Sequence, residues 1–497
     1  MNRRILYSIS LLLLFTISAY AQYPEDALRL GESSYGMSAR SVSMGNAMTG
    51  LAQGYDAVLY NPAGLAQSRQ SEFSFGLNFL GNNNDASYLG SSNSLSRSQT
   101  DITNVGIVYP FPTLKGSFVV AFGYNRGADF NSALSVKGTN RNSSIIPSLY
   151  YPGDTLADIS YMVFLEDASQ NPLVTKDVYQ SGQTFRSGGL NNWLASAAID
   201  VAQDFSLGLT LNLISGSYQY NRTFTESAIS GGVYGDPTFS QFVLSDQDNQ
   251  DITGWNAKFG FLYRMRDESG NVIARVGAAI NFPSYMTITD NYSSQGTATF
   301  TAGGNPAPYS TSNGYGESES GYPGPALQYD VTTPFKFSVG VSGGSQRILT
   351  SADIEYTDWT QLDFSNSNLP ASVISNLNSQ VKQSFTSTTN FRAGLEIALA
   401  NPNYSLTVPY VRVGGSYLPS PYANDKAAQA QKFLSGGLGF RIQNSIVVDL
   451  AYQYGWWETS SLVYPGTTIN NVSYIGQSTS NEKVTNTNFL FSFKYDF

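Results

Sequence analysis

The chain has 497 residues, 27 Lys+Arg against 36 Asp+Glu, a formal charge of −9, and neither His nor Cys. No imidazole base, thiolate nucleophile, His/Cys metal centre or disulfide framework is therefore possible, and the acidic balance argues against a nucleic-acid partner. Only 13% of residues are charged, while another 13% are aromatic, with 33 Tyr, 29 Phe and 46 Gly; that mixture favours β-strands with aromatic faces over helices.

The chain opens on Arg3-Arg4, an apolar run from Ile5 to Ile17, and Ala19-Tyr20-Ala21. Basic, apolar and small-residue regions in that order predict a signal peptide over 1–21. The run is shorter than the ~20 residues that span a bilayer, and no long apolar stretch follows Gln22. A membrane form must then be a closed barrel, which satisfies every backbone group between its strands. Residues 22–70 lack alternation and are rich in Gly, Ala and Ser; they are predicted to be an N-terminal plug, or hatch, in the lumen of a barrel over 71–497.

From Phe73 onward, residues alternate with period two. Strands are predicted near 72–80, 101–111, 117–126, 190–201, 206–224, 251–265, 271–288, 329–342, 347–364, 384–399, 404–418, 431–443, 445–458 and 482–497. The fold class is thus all-β: an antiparallel transmembrane barrel of about fourteen strands, an even number as bacterial barrels require. Connections such as Pro112–Gly116, Ala202–Phe205, Asp267–Gly270 and Gln443-Asn444 are tight. Those near 80–100, 127–189, 225–250, 289–328, 365–383, 419–430 and 459–481 are long, which puts short turns on one rim and long loops on the other. The chain ends with Phe489, Phe491, Phe493, Tyr495 and Phe497 on one face and Ser492, Lys494 and Asp496 on the other. Tyr452, Tyr454, Trp456 and Trp457 suit an interfacial aromatic girdle.

Gly36, Ala39-Arg40, Met44-Gly45, Ala47, Asp56-Ala57 and Asn61-Pro62-Ala63-Gly64-Leu65 resemble the hatch of the FadL/OmpP1/TodX family of outer-membrane long-chain fatty acid transporters. Tyr356-Thr357-Asp358-Trp359 and Gly414–Pro421 are similar to that family's later strands. The resemblance implies a fourteen-stranded barrel in the outer membrane, with Asn61, Pro62 and Ala63 as the hatch motif packed against a distorted third strand. It implies a lateral opening in that strand, here at Gly123 and Gly127, through which an apolar ligand leaves into the membrane; the alternative is that Gly123 simply faces a crowded lumen. Implied partners are a hydrophobic small molecule, outer-membrane lipid and the barrel assembly machinery. Some members instead serve protein secretion as shuttles, which is the alternative reading. Glu25, Asp26 and Arg29 depart from the pattern, being polar for an N-terminus seated in a greasy pocket.

Inward positions should carry Lys258, Lys336, Asp353, Glu355, Arg392, Glu396 and Arg412. The cations among them are candidates to pair with a fatty-acid carboxylate, or else to form a charge network filling the barrel. Asp246–Asp251 hints at a calcium loop but fails the EF-hand spacing, since Asp251 and Ala257 stand at the Gly and Glu positions; a solvated acidic loop tip is expected. Gly45 to Gly50 lacks the Lys-Ser/Thr of a phosphate loop. No catalysis and no cofactor are implied. In the outer loops, Phe164 and Phe242 belong to apolar bursts that serve either as a capture site or as packing that closes the mouth. Leu369, Val373, Leu377 and Val381 recur at helical spacing.

Overall fold

A computed structural model of the chain describes residues 24–32, 35–150, 158–229, 237–302, 305–310, 326–345, 347–423, 429–474 and 478–497; the predicted leader, 1–21, lies outside them. The alternating segments form one closed antiparallel ring. In chain order its wall strands are β1 Glu72–Tyr88, β2 Ser91–Phe111, β3 Phe118–Asp129, β4 Val178–Ala202, β5 Phe205–Ala228, β6 Phe239–Arg266 and β7 Val272–Asn281. There follow β8 Lys336–Gly344, β9 Ile348–Asp358, β10 Ser387–Ala398, β11 Thr407–Leu418, β12 Gln431–Ile442, β13 Ile446–Tyr464 and β14 Ser478–Asp496. Each pairs with its neighbours, and β14 closes on β1 with Phe491 opposite Leu77. The wall therefore has fourteen strands.

The wall is taller than the sequence pattern indicates. Residues 80–100 form no loop: β1 and β2 run on as a hairpin to a two-residue turn at Leu89-Gly90, both at positive φ (49° and 79°), the mirror-image turn that suits strand twist. Residues 246–251 likewise lie within β6, where Asp246 and Asp248 are buried and Asp246 pairs with Arg222 at 2.5 Å. The expected acidic loop tip is thus a strand, because polar alternation facing a lumen lacks the apolar signature that marks strands from sequence.

Along β14 the aromatic register holds. Phe489, Tyr495 and Phe497 are exposed on the outer surface, while Leu490 and Ser492 are buried within. Tyr452 and Tyr454 face outward as girdle residues, but Trp457 turns inward against Phe433, with ring centroids 6.2 Å apart. No described helix is long and apolar enough to cross a membrane; the crossing is made by strands.

Within the ring lie α1 Pro24–Gly31, α2 Ala39–Ser43 and α3 Ala57–Tyr60. Ser38 caps α2, accepting from Ser41 N. Asn61 caps the following 3-10 turn, accepting from Ala63 N at 3.2 Å with Pro62 at the first helical position; there Pro lacks only an N–H that would go unused. Residues 36–67 are tied to the wall by Ala39 N to Ser492 Oγ (2.6 Å), Thr49 N to Asp353 Oδ2 (2.6 Å), Tyr55 N to Glu72 Oε1 (2.9 Å) and Arg40 to Glu396 (2.9 Å).

Steric room for this segment comes from glycine. Across neighbouring strands Gly106 stands opposite Gly123, Gly208 opposite Gly260, Gly277 opposite Gly340 and Gly394 opposite Gly414. A Cβ on Gly208 would overlap Pro62, one on Gly394 would overlap Met44, and one on Gly414 would overlap the Met44-Gly45 peptide. Glycine inside a strand marks close backbone approach, and here the approach is that of the segment threading the barrel. Gly45 is constrained twice, by φ of +63° and by contact with the backbone of Gly415.

The outer loops pack on themselves. Ile145, Ile146, Val163, Leu165, Phe224, Phe239, Phe242 and Tyr464 share one buried cluster. Inside it, near the outer end of β5 and above the membrane-spanning part, Glu226 accepts from Ser144 Oγ (2.5 Å), Ile145 N (2.7 Å) and Gln180 Nε2 (2.6 Å). Burial pushes its carboxyl up to about 7, and those three hydrogen bonds hold back part of the rise. The folded state thus keeps the proton to higher pH than the unfolded chain, whose Glu titrates near 4.5. The associated stability is fully present below the unfolded value and lost as pH rises through about 7. Thermal melts followed by circular dichroism in detergent should show the wild-type loop transition falling across that window. Glu226→Gln, which keeps the acceptor but never ionises, should flatten the dependence; an unchanged slope would exclude Glu226 as its source.

Candidate functional site

Among the described residues, the N-terminal segment lies between two cavities of the lumen. The lower one, on the short-turn rim, is lined by Arg40, Asp56, Glu72, Arg347, Glu396, Arg412 and Asp449. The upper one is lined by Tyr35, Thr49, Leu59 and Tyr60 of the segment, and by Gly127, Lys258, Lys336, Glu355 and Arg392 of the wall.

The predicted lumen charges separate between them. Arg412 lies below, saturated by Glu396 and Asp449, each at 2.6 Å, so it is a structural ion pair and no part of the upper site. Asp353 is engaged by Thr49 N. Lys258, Lys336 and Arg392 all line the upper cavity. Arg392 pairs with Glu355 at 3.0 Å, Lys336 Nζ donates to Gly31 O at 2.7 Å, and Lys258 Nζ donates to Leu59 O. Three cations therefore face Glu355 and the nearby Glu32, an excess of positive charge beside the segment. Each lysine spends one donor on a backbone carbonyl of the segment, and an ammonium carries three.

Sequence reasoning missed the neutral part of this lining. Asn125, Asn192, Asn212, Asn256 and Asn281 come from five consecutive strands, β3 to β7. Asn212 Nδ2 donates to Asn256 Oδ1 at 2.7 Å, and Asn256 Nδ2 to Ser284 Oγ at 2.8 Å. Five asparagines at inward positions of successive strands was the available signal.

Above this polar belt is an apolar chamber, and α1 fills it. Ala27, Leu28 and Leu30 pack with Phe130, Leu190, Ile214, Tyr329 and Trp359. Two of the polar residues that argued against a greasy seat are reconciled by pairing, and Glu25 is exposed: Arg29 binds Asp26 at 2.8 Å, donates to Gln250 Oε1 at 3.1 Å and lies 3.5 Å above the Tyr218 ring. The loop helix expected from Leu369–Val381 is α5 Ala371–Ser384, whose Leu377 and Val381 close the same chamber; the short turn Ile159–Met162 is α4.

The third strand is broken where the chamber and the polar belt meet. Pairing of β2 with β3 ends at Asn104–Asn125, and the register with β4 shifts between Arg126 and Ala128, a bulge at Gly127. Beyond Asp129 the chain turns inward, and Ser132–Asn140 pairs with β4 alone. Gly123 is not the break: it sits in regular ladder facing Tyr55, whose hydroxyl donates to Tyr124 O at 3.2 Å. Tyr55, unremarked in the sequence, is thus one contact between segment and third strand, beside Leu65 and Ala66, which share a buried cluster with Val119 and Ala121. Asn61 and Pro62 make their close approaches elsewhere, at Gly208, Gly260 and Gly277 of β5 to β7, and Asn61 Nδ2 donates to Phe261 O at 2.8 Å. The loop phenylalanines do not reach the cavity: Phe242 is 0% exposed inside the loop cluster, and Phe164 is 59% exposed. Among the described residues no group of three His, Cys, Asp or Glu is placed to hold a metal ion.

Residues 190–497 match the family described as outer membrane protein transport protein (OMPP1/FadL/TodX). The chain belongs to this family. Its members are outer-membrane transport proteins, and that places the present barrel in the outer membrane. A Pseudomonas aeruginosa FadL homologue superimposes with a TM-score of 0.52 at 13% identity, covering 94% of this chain and 98% of that one. A TodX mutant described as a monoaromatic hydrocarbon channel gives 0.51 at 13% identity, covering 93% and 99%. At such identities the likeness is one of fold. No curated protein matches the sequence.

Proposed function

We propose that this family member passively transports amphiphilic hydrophobic molecules, with long-chain fatty acids the cargo its lumen suits best. The ligand is captured among the outer loops, admitted when the hatch rearranges, and released sideways at the third strand. The reading rests chiefly on one juxtaposition: Lys258, Lys336 and Arg392 line a cavity that reaches Gly127, a bulge just beyond the point where β3 loses its pairing with β2. An acyl chain would take the place of α1 in the apolar chamber, while its carboxylate meets charge-assisted donors below. No side chain on the path is asked to do chemistry.

Uptake of labelled long-chain fatty acid by a transporter-null strain, at matched outer-membrane levels, tests this. Wild type should exceed the empty vector, and Lys258→Ala combined with Lys336→Ala should lower uptake severalfold. Gly127→Trp, which fills the bulge against Asn192, should block exit while leaving folding intact. If wild type transports no hydrophobic substrate, the transport reading fails and a secretion-associated role takes precedence. If Gly127→Trp transports like wild type, transport stands and lateral exit falls.

A further inference from the structure

Where the third strand leaves the wall, it leaves β2 without a neighbour. β2 pairs with β1 along its length from Ser91, but with β3 only from Asn104 to Phe111. Over 91–103 no described residue makes a backbone pairing on the other side. The departing chain, Ser132–Asn140, crosses behind the hairpin instead: Asn84 Nδ2 donates to Ala133 O at 3.0 Å, and Gly138 abuts Leu89. The hairpin thus stands over an inner layer with one edge open.

The turn at Leu89-Gly90 fixes which groups are open. Tyr88 and Ser91 flank a two-residue turn and form a hydrogen-bonded pair, and such pairs alternate with unbonded ones along the ladder. Ser92, Ser94, Ser96, Ser98 and Thr100 therefore direct their N–H and C=O groups away from β1. Their hydroxyl faces are partly settled, since Ser96 donates to Asn83 at 2.7 Å and Ser94 to Asp85; the backbone edge is not. Thr100 lies opposite Phe79, an exposed outer aromatic, so 92–98 stand beyond the apolar band. Edge strands are ordinarily protected by Pro, Lys or a bulge; 92–100 contains no Pro and no Lys, and the bulge of β2 lies below it, at Thr103.

We propose that this edge of β2 is a strand-acceptor site, on which an extended segment of another protein adds antiparallel to 92–100. The added strand would continue, above Asn104–Asn125, the ladder that β3 begins, so the site extends an interface the barrel already uses. A second copy of this chain does not fit. All copies insert with one polarity, and a rotation about the membrane normal brings identical edges face to face, whereas a parallel ladder pairs opposite edges. Small neutral Ser and Thr side chains on the outer face leave room for β-branched, uncharged residues on the incoming segment. The inference is independent of what the lumen carries.

Hydrogen exchange resolved to single amides, on the full barrel in nanodiscs, tests the proposal with a capped peptide of alternating Thr and Val as probe. In the free barrel the amides of 92, 94, 96, 98 and 100 should exchange fast, while those of 93, 95, 97 and 99 are slow. The peptide should slow the first set. Ser92→Pro with Ser98→Pro removes two donors from the open edge alone and should weaken binding about fivefold for each. Ser98→Ala, which keeps the N–H, should bind as wild type does. Retained heat-modifiability and slow exchange at 93 and 95 would show that the proline variants still fold. The proposal is overturned if the even amides are already slow in the free barrel, or if the peptide leaves them fast.

Discussion

Gly414→Leu should destabilise the folded barrel by about 3 kcal/mol, the upper end of the usual range for overpacking, and should displace the N-terminal segment. Gly414 faces inward, and a Cβ there would overlap Gly45 N and Met44 C, both backbone atoms that no rotamer change can move aside. Its neighbour Gly415 provides the comparison. A Cβ on that residue meets Phe433 O at 3.2 Å and Leu434 Cδ2 at 3.5 Å, so Gly415→Leu should cost under half as much. Urea unfolding in detergent gives the two free energies, and limited proteolysis reports whether residues 36–67 stay protected. If both variants unfold alike with the segment protected, the wall does not grip it through its glycines.

That grip decides which part of the segment is free to move. Residues 36–67 are held by backbone contacts and by hydrogen bonds to β1, β8, β9, β10 and β14, with Ser342 Oγ donating to Gly50 O as well. α1 is held differently, through Leu28, Leu30 and a stacked Arg29 in an apolar chamber that another apolar body would fill equally well. Opening by α1 alone exchanges one apolar occupant for another, whereas moving the whole segment would strip every one of those hydrogen bonds.

What could be read from the sequence follows from which surfaces carry a one-dimensional signal. Strands whose outer face meets lipid alternate apolar and polar residues, so β14, β12 and β5 were legible in position and register. Above the membrane both faces are polar, and β1, β2 and β6 ran on as strands through stretches expected to be loops. The cations of the upper cavity were found because inward parity selects them; parity alone could not tell Arg412, spent on Glu396 and Asp449 below the segment, from Lys258 above it. An opening in the third strand is expected at Gly123 and Gly127, because a glycine inside or just after a strand suggests one. Of the two, Gly123 is small for another reason, the ring of Tyr55, and the bulge falls at Gly127. Phe242 is open to two readings in the sequence, capture surface or packing that closes the mouth, because apolar residues in loops suit both; the loops bury it against one another.

Phe491→Arg should cost about 2–4 kcal/mol of folding free energy, against about 0–1 kcal/mol for Tyr495→Arg. Both residues project from the outer face of β14, where Phe489 is 52% and Tyr495 42% exposed and the intervening inward residues are buried. Phe491 lies midway along the outward aromatics, opposite Leu450 of β13 and Leu77 of β1, so an arginine there meets hydrocarbon on every side. Tyr495 lies at the short-turn rim, opposite Ile446 at the start of β13, where the guanidinium reaches the headgroups. Ser492 is no neutral inner control, because its hydroxyl accepts from Ala39 N; Ser492→Ala should cost about 1 kcal/mol through that bond. Lys494 shows what the inner face tolerates, being held by Glu72 at 2.7 Å. Folding into lipid vesicles, titrated with denaturant, measures all three variants on one scale. Equal losses at 491 and 495 would mean that depth in the bilayer does not set the cost, and that the aromatic face of β14 is not the one lipid covers.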